Sequence, residues 1–323
     1  MKKKTYKEKF LNKPFYNYSF YNKVVIITGA SRGIGFEIAK KFLICGSNLV
    51  ICSKNVNRLK KSFNKLLKIK KKKQKIYYRK IDVSSERDVK KLINFTINKL
   101  KKIDILVNNA GIYGPKGNIE SINWQKWKET IEVNLYGSIM LCKEIIPHFK
   151  KRNKGKIIQL SGGGAAAPLP MLSGYAVSKV GIVRFVEGLS EELKNYRIDI
   201  NAVAPGTINT GMLNELLKAG PKKIGKKAYK KSLRQKKDGG TSFEEACDLI
   251  LFLGSEYSNG ISGKLISAIW DDWKIFPDYK KKITNSDLFS IRRIIPRDRN
   301  LNWGIIKKKS NYDKSLVPSN KIK

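Results

Sequence analysis

Histidine is all but missing from this 323-residue chain, where His148 stands alone. That excludes a metal site of several histidines and argues against a Ser-His-Asp triad, so no metal is expected. Cysteine is scarce: positions 45, 52, 142 and 247, with no Cys-x-x-Cys pair. The four are read as reduced, mostly core thiols of a cytoplasmic protein. No apolar run approaches the roughly 18 residues of a membrane span. Met1-Lys2-Lys3-Lys4 has no apolar segment behind it, which argues against a secretory signal. Internal repeats and Gly/Ser-rich linkers are lacking as well.

Acidic residues are few: 26 against 67 Lys and Arg, a formal net charge of +41. Such a charge invites a phosphate-rich partner. However, 55 of the 67 are Lys, spread from end to end among abundant Asn and Ile. That is the mark of drift toward AT-rich codons on a solvated surface. The tightest cluster, Lys70 to Lys73, has no aromatic stacking platform beside it, so a nucleic-acid partner is not expected. Hydrophobic residues make up 41%, enough for a full core.

Short apolar runs alternate with helix-period segments from Lys23 onward. Strands are expected at 24–28, 49–52, 76–81, 103–107, 156–160, 199–203 and 264–268. Between them lie a helix over 34–43 with Ile34, Ile38 and Phe42 on one face, a Lys-rich helix, and a helix opened by Ser85 and Asp88. A long helix over 123–149 and another over 173–194 follow. This is the pattern of an α/β, doubly wound parallel sheet of about seven strands with helices on both faces. One domain is expected over 23–268. A basic extension, 1–22, precedes it, and a C-terminal extension, 269–323, follows it, ordered to about 306 and disordered beyond.

Thr28-Gly29-Ala30-Ser31-Arg32-Gly33-Ile34-Gly35 joins the first strand to the first helix. Glycines there let backbone N–H groups approach a pyrophosphate at a helix N-terminus. The spacing TGxxxGxG resembles the short-chain dehydrogenase/reductase family, a Rossmann-type fold. Asn108-Asn109-Ala110-Gly111 after the fourth strand, Tyr175-x-x-x-Lys179, Pro205-Gly206 after the sixth strand and Asn134 on the long helix agree with it. The resemblance covers about residues 23–268. It implies an NAD(P)(H)-dependent oxidoreductase that interconverts a small-molecule carbonyl and a secondary alcohol.

The second strand ends in Cys52-Ser53-Lys54-Asn55, without the carboxylate that holds the ribose 2′-OH in NAD-specific sites. Lys54, Ser53 and Arg32 suit a 2′-phosphate, so NADP(H) is expected rather than NAD(H). The resemblance adds Gly29, Ser31, Gly33, Ile34, Gly35, Asp82, Val83, Asn108, Ala110, Gly111, Pro205, Gly206, Ile208 and Thr210 as cofactor contacts. Asp82 has an alternative role in a helix cap with Ser84, and Asn108 one in shaping the sheet.

Tyr175 and Lys179, four apart, share a helix face. A phenol with a pKa near 10 is a poor base at neutral pH. A neighbouring ammonium favours the phenolate, so Tyr175 is expected to act as general acid/base with a lowered pKa. The resemblance implies that Lys179 also holds the nicotinamide ribose and that Asn134 anchors a water leading from Lys179 to solvent. Ser161 is taken as the family's serine, although it lies 14 residues before the tyrosine where 13 is usual; a loop longer by one residue would account for this. The stretch 212–240 reads as a basic, mobile lid with no clear acidic anchor.

A homodimer or homotetramer is expected through the two long helices, which carry apolar residues on more than one face, including Trp124, Trp127, Val183 and Val186. In the C-terminal extension, Arg292, Arg293, Arg297 and Arg299 interleave with apolar residues. Either Trp270 to Arg299 closes over the substrate mouth, or it is a packing arm with surface arginines. Two other functions stay open. A nucleotide-sugar epimerase or dehydratase also uses Tyr-x-x-x-Lys, though with TGxxGxxG and without NNAG. A non-catalytic nucleic-acid-binding protein on the same fold would lack the intact site.

Overall fold

The computed structural model describes residues 18–301. Most of the expected N-terminal extension and the tail beyond Lys307 lie outside the described residues. Seven strands, β1 Val24–Thr28, β2 Asn48–Ser53, β3 Ile76–Lys80, β4 Ile105–Asn108, β5 Gly155–Leu160, β6 Ile198–Ala204 and β7 Leu265–Ser267, form one parallel sheet in the order β3-β2-β1-β4-β5-β6-β7. The helices are α1 Gly33–Ile44, α2 Val56–Ile69, α3 Glu86–Leu100, α4 Trp124–Ile131, α5 Gly137–Arg152, α6 Ser173–Glu192, α7 Gly211–Ile224, α8 Lys226–Asp238, α9 Phe243–Gly254 and α10 Lys280–Thr284.

Side chains alternate across a strand, so each run of apolar residues feeds both faces. Val25 and Ile27 pack with Phe42 of α1, Leu59 of α2 and Phe252 of α9. Ile26 and Leu106 pack with Leu92 of α3, Ile145 of α5 and Val186 of α6. No described helix is long and apolar enough to cross a membrane. Burial pushes the thiols of Cys52, Cys142 and Cys247 up to about 12, which leaves them inert. His148 accepts from the Ile103 backbone N–H through Nε2 at 3.1 Å, a structural contact. Lys70 folds its ammonium onto the carbonyls of Lys71 and Gln74, closing the α2–β3 turn.

The helix expected to run unbroken over 123–149 is interrupted. A π-helical turn, Glu132–Tyr136, separates α4 from α5 and carries Asn134. Such a turn re-aims one side chain without ending the helix.

The C-terminal arm wraps the free edge of β7. Trp273 packs against Phe252, and Phe276 stacks near Phe289. The Phe289 carbonyl accepts from Leu265 N–H at 2.7 Å, and Glu187 Oε1 accepts from Ile291 N–H at 2.7 Å. The arm thus covers exposed strand donors at the sheet edge. Arg292 pairs with the arm's own Asp287 and Asp298, at 3.1 and 2.8 Å. For Arg292 these pairs agree with the packing-arm alternative.

Candidate active site

The carboxyl ends of β1 and β4, where the strand order reverses, are the place where an open α/β sheet binds ligands. A cleft of about 490 Å³ opens there. Gly29 and Gly33 take φ values of +66° and +57°, the left-handed region that glycine tolerates. A Cβ on Gly29 would lie 2.8 Å from Ala110 Cα, and one on Gly35 2.6 Å from the Gly29 oxygen. The turn therefore packs directly on the Asn-Asn-Ala-Gly segment. Thr28 Oγ1 accepts from the N–H groups of Asn109 and Ala110, each at 3.0 Å. No side chain caps α1 at Arg32, so its first N–H groups point at the cleft with the positive end of the helix dipole.

Ser31, Arg32, Ile34, Ser53, Lys54, Asp82, Val83, Ala110, Gly111 and Thr210 line this cleft with the three glycines. Arg58, Asn109 and Glu129 also line it and were not expected from the sequence. Arg58 sits in the first turn of α2, which Asn55 caps by accepting from Arg58 N–H at 2.9 Å. A basic residue four positions after Lys54, at a capped helix start, was a usable signal. Lys54 pairs with Asp82 at 2.8 Å. Burial alone would raise the Asp82 carboxyl, but Lys54 and Ser84 outweigh it and hold it below the ordinary carboxylate range. Asp82 Oδ1 also accepts from the Ser84 N–H and Oγ, while Ser85 caps α3.

Several expected contacts lie elsewhere. Asn108 is buried and donates to the Ser138 carbonyl at 3.2 Å, on the α5 side of the sheet. Alternation at the strand end places Asn109, not Asn108, at the cleft. Pro205, Gly206 and Ile208 do not line it either. Gly206 is required because a Cβ there would lie 2.7 Å from Ile269 and 2.8 Å from Thr241 Oγ1. Ile208 is buried and bridges to Gly240 and Thr241, where the lid returns. Thr210 caps α7, accepting from Met212 N–H, and packs on Gly33.

At the other end of the site, Lys179 Nζ is buried and donates to the Leu160 carbonyl at 2.6 Å. It lies 5.6 Å from the centre of the Tyr175 ring. Burial draws the Lys179 ammonium down to about 8. The Tyr175 phenol moves opposite to expectation: burial pushes it up, and Tyr113 adds to the rise. Tyr113 meets Tyr175 edge-on with ring centres 4.8 Å apart. Asn134 clamps Ile112, accepting from its N–H at 2.8 Å and donating to its carbonyl at 2.9 Å, and donates to Ser178 Oγ at 3.0 Å.

Ser161 is not beside the phenol. Its hydroxyl is 3% exposed and donates to the Lys179 carbonyl at 3.2 Å. The position facing the phenol is Gly162, where a Cβ would lie 3.1 Å from the Tyr175 hydroxyl.

The lid has an acidic anchor after all. Glu215 on α7 lies 3.6 Å from Arg32 and 4.0 Å from Lys116. The lid bends at Gly220, with φ +75°, before Pro221 and α8. Of the four residues proposed for pairing, Val183 and Val186 are wholly buried inside the subunit. Trp127 donates to Ser173 Oγ and stacks beneath Trp124. The exposed apolar residues of these helices are Trp124, Tyr136, Val177 and Val180. Among the described residues, no three His, Cys, Asp or Glu side chains gather as a metal site.

The short chain dehydrogenase family matches this chain over residues 23–220. L-fucose dehydrogenase of Oryctolagus cuniculus is 32% identical over 203 residues, covering 62% of this chain and 68% of that protein. A 3-oxoacyl-acyl-carrier-protein reductase of Buchnera aphidicola is 32% identical over 244 residues, covering 76% and 94%. Among solved structures, levodione reductase superposes with a TM-score of 0.71 at 24% identity, over 77% of this chain and 96% of its own. With the glycine turn and the Asn-Asn-Ala-Gly segment on one cleft, and Lys179 Nζ 3.7 Å from where a Cβ on Gly111 of that segment would lie, the chain belongs to the short chain dehydrogenases.

Proposed function

We propose that the protein is an NADP(H)-dependent oxidoreductase that interconverts a carbonyl and a secondary alcohol, with Tyr175 as general acid/base. The observation that carries this reading is the buried Lys179 ammonium beside the Tyr175 ring and next to Gly111, a residue that lines the cleft floored by the glycine turn. A bound nicotinamide supplies or accepts the hydride. Tyr175 holds a proton at neutral pH because burial raises its pKa, which is the state that carbonyl reduction needs. Lys179 stabilises the phenolate left after transfer. Asn134 fixes Ile112 and Ser178, and so the spacing between the Asn-Asn-Ala-Gly segment and α6.

Arg32, Lys54 and Arg58 put three cations on the cleft against the carboxylates of Asp82 and Glu129. That balance favours a 2′-phosphate over a bare ribose hydroxyl. Trp124, Tyr136, Val177 and Val180 form the apolar face through which two subunits pair. A cytoplasmic location fits the reduced thiols. Relatives named for a sugar and for a 3-oxoacyl group both handle a carbonyl–alcohol pair, the chemistry assigned here.

The test is a panel of ketones and secondary alcohols with each nicotinamide, read at the reduced cofactor's absorbance. NADPH should exceed NADH in kcat/KM by at least about tenfold, and Lys54→Asp should erase the difference. No turnover with either cofactor across the panel would overturn the reading.

A further inference from the structure

Lys116 differs from the other lysines withdrawn from solvent. Lys156 meets Asp199 at 2.6 Å, Lys179 meets the Leu160 carbonyl at 2.6 Å, and Lys264 meets the Ser286 carbonyl at 2.7 Å. The Lys116 side chain is only 14% exposed, yet its nearest carboxylate, Glu215, stands 4.0 Å away, beyond hydrogen-bond reach. Its ammonium donates to the Gly114 carbonyl at 3.0 Å. An ammonium carries three donors, so two are left for a ligand.

The segment that carries Lys116 is held at several points. Asn134 clamps Ile112 on both backbone groups. Gly114, at φ +68°, is lodged against Thr130. Gly117 N–H donates to the Met171 carbonyl at 3.0 Å, which ties the segment to the loop before the Tyr175 helix. The Tyr113 ring is in contact with both Tyr175, at 4.8 Å between ring centres, and the Lys116 ammonium, at 5.6 Å from the ring centre. A fixed cation therefore stands one side chain away from the phenol. Glu215, in contrast, belongs to the lid and is shared loosely between Arg32 and Lys116. Burial pulls the Lys116 pKa down and Glu215 pulls it up, so a closer anion would strengthen its charged state.

We infer that Lys116 anchors an anionic group, a carboxylate or a phosphate, carried by the substrate near its reacting carbonyl, and that Glu215 is the lid carboxylate which that group displaces. The inference rests on the carbonyl chemistry proposed for Tyr175. It narrows the substrate to short keto acids or phosphorylated ketones, and it makes Lys116 a specificity residue.

Matched pairs test it: acetoacetate against ethyl acetoacetate, and dihydroxyacetone phosphate against dihydroxyacetone, each with NADPH. Lys116→Met should lower the anionic-to-neutral ratio of kcat/KM by at least about tenfold in one pair, the loss of a charge-assisted contact, and the pair that responds tells carboxylate from phosphate. Glu215→Gln should raise the same ratio. A ratio unchanged by Lys116→Met in both pairs would overturn the inference. If none of the four is turned over, the reaction itself is judged by the wider panel of ketones and alcohols. Calorimetric titration of the two anions into the NADP⁺-saturated protein then decides Lys116 alone. Binding lost in Lys116→Met supports the anchor; no binding to the wild type, or equal binding, refutes it.

Discussion

The two ends of the site are built from different kinds of contact. At the glycine turn, backbone meets backbone: Gly29 against Ala110, Gly35 against Gly29, and an α1 terminus that no side chain caps. At the phenol, side chains from three segments, Tyr113, Asn134 and the Tyr175–Lys179 helix, converge beside the strand end at Leu160–Gly162. Backbone contacts depend on residue type at fixed spacing and so tolerate little change. Side-chain contacts depend on which way each residue faces, and one position of shift is enough to move a group out of the site.

That contrast can be broken first at the turn. Gly35→Ala places a methyl group against the Gly29 carbonyl and the Asn109 side chain. NADP(H) affinity should fall at least about a hundredfold, about 2.7 kcal/mol, by fluorescence titration, while circular dichroism stays that of a folded protein. Unchanged affinity would mean that the turn does not hold the dinucleotide.

The phenol end can be sharpened by restoring what it lacks. Gly162 has φ near 169°, extended backbone that any residue adopts, so a serine fits there without backbone strain. Its hydroxyl would face the Tyr175 hydroxyl. We expect Gly162→Ser to raise kcat for carbonyl reduction about tenfold by adding a donor to the developing oxyanion. Ser161→Ala should leave the catalytic rate within about threefold, because its bond is to a backbone carbonyl and not to the reacting groups. Steady-state kinetics of the two variants side by side decide which serine position matters.

A smaller effect follows from the buried ammonium. With its pKa drawn down to about 8, Lys179 loses its charge as pH rises through that value. The charge supports the phenolate, so reduction should be flat below about pH 7 and fall roughly fivefold between pH 8 and pH 9. Lys179→Arg should keep the charge and remove that fall.

The fold was legible in the sequence because apolar runs and helical periods repeat in strict alternation, and all seven strands lie where the runs are. The turn was legible because only glycine satisfies its φ values and its close approaches. The side-chain end was read less well. Asn108 and Asn109 are adjacent and identical in chemistry, and only strand alternation separates the one facing α5 from the one facing the cleft. The same holds at the end of β5, where Ser161 donates to the Lys179 carbonyl and its neighbour Gly162 faces the phenol. Asn134 was recognised by motif, but the π turn that aims it leaves no mark in an apolar pattern. Glu215 was overlooked among the many lysines of the lid, since its partners Arg32 and Lys116 come from distant segments. Val183 and Val186 were expected to serve subunit pairing, yet both are buried in the core between α6 and the sheet. The arm's arginines suggested an anion site, and one of them, Arg292, pairs with carboxylates of the arm itself.

The central claim is that Tyr175 exchanges the proton in a nicotinamide-dependent reaction. Its most direct test is Tyr175→Phe, assayed for turnover of the best carbonyl and for NADPH affinity in the same preparation. The account predicts a loss of turnover of roughly 10²–10⁴-fold with cofactor affinity nearly unchanged, because the ring stays and only the proton is removed. Turnover within about threefold of the wild type, at full cofactor binding, would contradict it.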